Sequence, residues 1–271
     1  MARLLNLFRA RAIFQPPPKG AREIHMADLR ERMVARPSAR TAEVIDQGLR
    51  SYMLRVYNYM AVGLGLTGLA AVLTFNAAVD NGQLTAFGQM LFVSAFKWVV
   101  IFAPLALVLF LSFRVHRMSV AAAQLTFWVY AALVGVSFAS LGLVYAHESI
   151  ARVFFVTAAS FGGLSLWGYT TKRNLTGMGS FLFMGLIGII IAMVVNLFLA
   201  SSALQFVISA VGVLVFAGLT AYDTQKIKEM YYEQDDQATM GRKAIMGALN
   251  LYLDFINLFL MLLHLFGNRN N

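Results

Sequence analysis

Two acidic residues lie in strongly apolar surroundings toward the C-terminal end of the chain, Asp223 in LVFAGLTAYDTQKIKEM and Asp254 in ALNLYLDFINLFLMLLHLFG. Every other carboxylate falls in a loop, a tail or the end of an apolar segment. An ionisable group kept inside an apolar segment is costly, and by default it marks a functional site. The plain alternatives are that Asp223 caps a helix end and pairs with Lys226, and that Asp254 hydrogen-bonds to a neighbouring helix. Should the two carboxyls meet away from water, they would titrate as one coupled unit that shares a proton over some pH window, a pH-sensitive latch. Deprotonated, the same pair is a hard oxygen site of the kind that suits Ca²⁺.

Around Asp254 the polar residues are ordered. Asn250, Asp254, Asn257, Met261 and His264 are spaced by four, three, four and three, which places them along one face of a helix. That face is expected to look into the protein, with Asn250 and Asn257 lining a polar path. As interhelical hydrogen-bond glue, each asparagine would contribute about 1 kcal/mol or less; this is the expectation for Asn257, while Asn250 is open to either role. Met261 is expected to pack only, and His264, near the segment end, to be interfacial.

The elements that must carry these residues are membrane helices. Of 271 residues, 59% are hydrophobic and 13% charged, and the mean hydropathy is +0.67, far more apolar than a soluble domain. Apolar segments near the roughly 20 residues that cross a bilayer run approximately over 56–77, 93–113, 119–145, 150–169, 179–199, 203–222 and 244–265. Solid apolar runs without alternation exclude a barrel, so the fold class is an all-α integral membrane protein, a bundle of seven transmembrane helices. Pro104 is expected to kink the second. The last is interrupted by Asn250, Asp254, Asn257 and His264, which leaves six spans plus a re-entrant helix as the competing topology. The 21 glycines suit closely packed helices, and the short connections make consecutive helices antiparallel neighbours. There is no cysteine, which excludes disulfides and thiolate metal sites.

The formal charge of +9 is distributed by topology, not as a nucleic-acid footprint. Arginines crowd the first 55 residues, and Arg114, Arg117, Lys172, Arg173, Lys226, Lys228, Arg242 and Lys243 fall in alternate connections; Lys97, Arg152 and Arg269 fall at the opposite ends. By the positive-inside rule the N-terminal arm is cytoplasmic. The arm, residues 1–52, is expected to be largely disordered, with an amphipathic run from about Ala42 leading into the membrane domain at 53–267 and a short tail at 268–271. Met26 offers a second plausible start, so the first 25 residues are expected to be dispensable. Pro16, Pro17 and Pro18 and the lack of serine argue against reading the Arg-rich start as a mitochondrial transit peptide.

The motif YDTQKIKEM at Tyr222–Met230, followed by ALNLYLDFINLFLMLLHLFG at Ala248–Gly267, resembles the signature of the Bax inhibitor-1 family, the transmembrane Bax inhibitor motif proteins that include bacterial YccA/YetJ-like members. RVYNYMAVGLGLTG at Arg55–Gly68 is similar to the start of that family's first helix, particularly in bacterial members, and the resemblance covers about Arg50 to Gly267. It implies a seven-helix bundle around a central last helix and a pH-sensitive Ca²⁺ leak, with the proton-sharing aspartates at Asp223 and Asp254. It also implies a basic counter-charge at the end of the second helix, which falls at Arg114 or Arg117; FRVHRMSV aligns with neither preferentially. The long N-terminal extension departs from the family's usual short arm.

Three readings of function follow. The leading one is a calcium leak gated by the aspartates, with Ca²⁺ and protons as the passing ions, no tightly bound cofactor and no catalysis. A second is a non-conducting protein that binds membrane-protein partners and regulates their quality control or cell death. An intramembrane aspartyl protease ranks below both, because Asp254 stands in YLDFIN where such enzymes carry GxGD. The bacterial character of the first helix points to a cell inner (plasma) membrane, with the mitochondrial inner membrane as runner-up. For topology, single cysteines at Ser38, Gln237 and Asn270 are to be labelled with an impermeant thiol reagent in intact cells. Asn270→Cys should label and the other two should not; label on Gln237→Cys but not on Asn270→Cys would overturn the seven-span arrangement.

Overall fold

The computed structural model describes residues 39–270, with side chains from residue 46. Residues Leu49–Asn271 form one compact unit, and apart from the start of the first helix everything below concerns it. Most of the expected arm, residues 1–38, lies outside the described residues. Its remainder is helical, because helix α1 (Ala39–Ala78) is already formed at Ala39.

After α1 come a hairpin, β1 (Val79–Asp80) and β2 (Gln83–Leu84), and a short helix α2 (Ala86–Phe92). The main helices are then α3 (Lys97–Arg114), α4 (Val120–Phe138), α6 (His147–Thr170), α7 (Thr176–Leu199), α8 (Ser202–Glu229) and α9 (Gln237–Phe266), with a single turn α5 (Leu141–Val144) between α4 and α6. Among the described residues seven helices are long and apolar enough to cross a membrane. The last is one unbroken helix, so the re-entrant alternative falls.

Local chemistry explains most boundaries. Asn81 (φ 49°) and Gly82 (φ 76°) supply the two left-handed residues of a tight hairpin turn, and this turn lies in the connection between the first two apolar segments; the second membrane helix begins at Lys97, four residues later than the hydropathy pattern placed it. Helix starts carry side-chain caps: Thr85 accepts from the Gly88 amide, Ser119 from Ala122, Ser201 from Leu204 and Asp236 from Thr239. Pro104 lies inside α3 and cannot donate to the Val100 carbonyl one turn back. Ser137 of α4 donates to that carbonyl instead at 2.7 Å, so the defect in one helix becomes a bond to the next.

α9 is the axis. Of its most apolar window 72% is buried, against 11% for the corresponding windows of α3 and α7. It packs on α8, α6 and α4, while α7 lies on α8 and α3 on α4. Phe154 and Phe161 of α6 meet Phe255 edge-on at 5.4 and 5.5 Å, and Phe127 of α4 meets Tyr252 at 5.7 Å. The short C-terminal tail is docked. Asn268 accepts from the Ala146 amide and Asn270 donates to Val144, pinning the end against the connection before α6.

The closest backbone approach beside Asp223 is between α6 and α8. A Cβ on Gly168 would stand 2.3 Å from the Ala221 carbonyl oxygen, so the helices lie as near as they do only because position 168 has no side chain. Gly168→Ala should therefore lower thermal stability in detergent by about 1–3 kcal/mol. Gly163→Ala, on the same helix with nothing within 4 Å of the added carbon, should not.

Candidate functional site

α8 does not stop at Tyr222, where strong hydropathy ends, but runs to Glu229. Two further turns keep Asp223 within the helix and half-buried, aligned along α9 where Asp254 is buried with 5% of its surface exposed. The side chains of Asp223 and Asp254 come within hydrogen-bonding reach of each other. Oδ2 of Asp254 is buried and has no donor. Two carboxylates cannot bond to each other, since neither carries a hydrogen; a single proton gives the pair its missing donor. The arrangement is thus suited to holding one proton between two acids.

Lys226, one turn along α8, is the cation that bears on Asp223, but it is exposed and its ammonium lies over the Tyr222 ring at 5.9 Å. Among the described residues the side chains that form an ion pair are Lys243 and Asp235, in and beside the connection from α8 to α9. Arg114 and Arg117 are both exposed and the structure does not bring either to the aspartates. Arg114 precedes and Arg117 ends the turn Val115–Arg117, which packs against α9.

The polar face of α9 is split differently from expectation. Asp254 and Met261 are buried, but Asn250 and Asn257 are only half-buried, and His264 is exposed beside Tyr145. With Met246, Leu253 and Leu260, these form a half-covered strip along α9 at helical spacing, with Asp254 at its edge. Asn257 is not interhelical glue: its amide donates back to Leu253 of its own helix at 2.8 Å. Met261 packs, as expected, against Gly212 of α8.

Sequence reasoning missed two chains of buried hydroxyls that reach α1. In the first, Thr224 donates to the Thr220 carbonyl at 2.7 Å, so it must accept from Ser165 at 2.9 Å, and Ser165 in turn accepts from Tyr57 at 2.6 Å. The direction is fixed from Tyr57 inward. Three helices, α1, α6 and α8, are tied together beside Asp223. In the second, Thr67 directs its one proton to the carbonyls of Ala131 and Gly63 at 2.9 and 3.0 Å, and so accepts from Tyr252 at 2.6 Å. That joins α9, α1 and α4 two residues from Asp254. A weaker sign was present in the type of these residues, since hydroxyls in apolar helices need acceptors, but back-bonding to the same helix satisfies most of them.

At the chain's basic end, Gln225 accepts from the Leu175 amide and donates to the Arg173 carbonyl, both at 2.8 Å, and Lys228 donates to the Tyr169 carbonyl at 2.9 Å. These contacts anchor the last turns of α8 to the connection between α6 and α7. They hold Asp223 from the side opposite α9.

A family profile described as "Inhibitor of apoptosis-promoting Bax1" matches residues 49–271. An uncharacterized protein of Rickettsia prowazekii is 49% identical over 229 residues, covering 84% of this chain and 94% of its own. A Caulobacter vibrioides protein is 47% identical over 236 residues, covering 86% and 94%. The Escherichia coli inner membrane protein YbhL is 48% identical over 225 residues, covering 82% and 93%.

The second hydroxyl chain yields a direct test. Thr67→Val keeps the shape but leaves the Tyr252 hydroxyl without its acceptor. Buried interhelical bonds in membrane proteins average about 0.6 kcal/mol and reach about 1.7; because Tyr252 is fully buried, the loss should fall at the upper end. Thermal unfolding of the purified protein in detergent would read it, and an unchanged midpoint would show that Thr67 carries no share of the coupling to α1.

Proposed function

The chain belongs to the family of inhibitors of apoptosis-promoting Bax1, and from that premise we propose that it is a pH-sensitive calcium leak gated by Asp223 and Asp254. The observation that supports this reading is the approach of the two carboxyls inside the helical bundle, with one oxygen of Asp254 buried and lacking a donor. With one proton shared, the acids hold α8 and α9 together and the path is closed. Without it, two like charges about 4 Å apart repel by as much as about 4 kcal/mol at an effective dielectric near 20. That is a large share of the roughly 5.5 kcal/mol that takes a two-state equilibrium from 1:99 to 99:1. The gate therefore opens as pH rises.

The half-covered strip on α9 provides the route. Asn250 and Asn257 lie half-buried on this strip, one turn to either side of Asp254, and a freed carboxylate pair adds hard oxygen ligands. Two carboxylates fall well short of the six to eight oxygens that Ca²⁺ takes. An ion here would keep much of its water, which suits transit instead of storage. Arg114 and Arg117 stand at the turn that packs on α9 and would moderate opening by pairing with a freed carboxylate after a shift of that turn. The membrane is a cell inner membrane, as for the Escherichia coli relative, with the basic end of the bundle cytoplasmic. No step of covalent catalysis is assigned to the aspartates.

Ca²⁺ uptake into proteoliposomes holding the full chain should increase as pH is raised through neutrality. Asp223→Asn or Asp254→Asn preserves the shape and removes the coupled titration, so each variant should lose most of the pH dependence. A wild-type pH profile in both variants would leave the acids as structural residues. An absence of flux in the wild type would favour the partner-binding reading.

A further inference from the structure

A cavity of about 730 Å³ opens on one flank of the bundle, between α1 and α6, with its floor on α9. Gly65 and Gly68 of α1 form one wall, and neither has any protein atom within 4 Å of the position a Cβ would take. Phe154 and Phe155 form the wall opposite, and Phe255 and Phe259 close the floor. Midway along the wall the Thr67 hydroxyl is taken up by Gly63, Ala131 and Tyr252, and the other polar lining residues, Asn76 and His147, are set together at one end. From Ala61 to Asn76 the cavity follows about 22 Å of helix rise, more than the roughly 15 Å of hydrocarbon in one leaflet.

We propose that this cavity binds one phospholipid, with an acyl chain between α1 and α6 and the phosphate at the His147 end. Three observations select that occupant. The walls are membrane-length helices, and the lining residues Val72 and Phe155 are 58% and 70% exposed, so the mouth opens sideways to the bilayer. Only a component of the membrane reaches it by that way. With the Thr67 hydroxyl already bonded inside the protein, the remaining polar lining lies at one end, which matches an amphiphile whose head stays at the surface. Little more than a turn beyond His147, exposed Arg152 supplies a cation that suits a phosphate. His147 itself is held by the edge-on ring of Phe75 at 4.8 Å.

The volume lies within the range of about 300–1,000 Å³ of small-molecule sites, room for one acyl chain while the rest of the lipid stays in the bilayer. The bound chain packs against Phe255 and Ile256, the residues that follow Asp254, and against Thr67, which accepts from Tyr252. Lipid therefore supports the same turn of α9 that the hydroxyl chain supports. The inference depends on membrane placement and the cavity alone, and it stands whether or not the chain conducts ions.

The test uses the full chain reconstituted in liposomes that contain a phosphatidylglycerol with a photoactivatable diazirine midway along one acyl chain. After irradiation, peptide mapping should show label on the Gly65–Phe75 and Phe154–Phe155 stretches at least about five-fold above that on Phe183 and Ile187. The latter are exposed on α7 and report ordinary contact with lipid. Gly65→Leu/Gly68→Leu fills the cavity and should bring its label down to the α7 level while the α7 label persists. Ala151→Phe, which fills the cavity from the α6 side, should do the same. Cavity label equal to that on α7 in the wild type, label that survives both variants, or a crosslink to a second copy of the chain in its place would each overturn the proposal.

Discussion

A carboxylate deprived of water has to be met by something else, and in this bundle the something else is a second carboxylate. Asp254 lies on the most buried helix of the protein and has no donor for one of its oxygens. Asp223 reaches it only because α8 stays helical two turns beyond its last strongly apolar residues. Much of the surrounding packing serves that meeting. Gly168 allows α6 to press on the backbone just before Asp223, Gly247 allows Ile227 to sit close against α9, and Gly212 receives Met261. The last turns of α8 are fastened to the neighbouring connection by Gln225 and Lys228.

The first membrane helix takes part through hydroxyls more than through close backbone packing. Tyr57 and Thr67 lie ten residues apart on α1, and each ends or relays a buried hydrogen-bond chain to a helix that bears an aspartate. Because each chain terminates at a backbone carbonyl, neither can pass a proton onward. They act as struts that register α1 against the acid pair. On either side of Thr67 the wall is glycine, at Gly65 and Gly68, and there the protein leaves its flank to lipid.

The helices differ in what solvates them. α9 is surrounded by protein on most of its circumference, and aromatic edges from α4 and α6 fill the space around it. α3 and α7 present most of their surface outward, so their apolar residues are matched to hydrocarbon and need no shape complementarity. A proline could be carried in α3 because a serine on its neighbour restored the lost bond.

Much was legible in the sequence because a bilayer imposes simple rules. Length and hydropathy set the membrane helices, the distribution of Arg and Lys marked the basic end, and the isolation of Asp223 and Asp254 in apolar context singled out the pair. Asn81-Gly82, in the gap between the first two apolar segments, forms a hairpin on which hydropathy alone is silent. Periodicity reports which side of a helix differs, but not which neighbour covers it. Asn250, Asp254 and Asn257 share one face by spacing, and only the placement of α4, α6 and α8 decided that Asp254 is enclosed while the asparagines remain half-covered. The partnership of Thr67 with Tyr252, 185 residues away, was equally unreadable, because either hydroxyl could have been satisfied within its own helix. Residues 268–270 carry too little apolar character to foretell a docked end; backbone groups on the connection before α6 decided it. Local chemistry determined the elements, and the packing of several helices at once determined which polar groups meet.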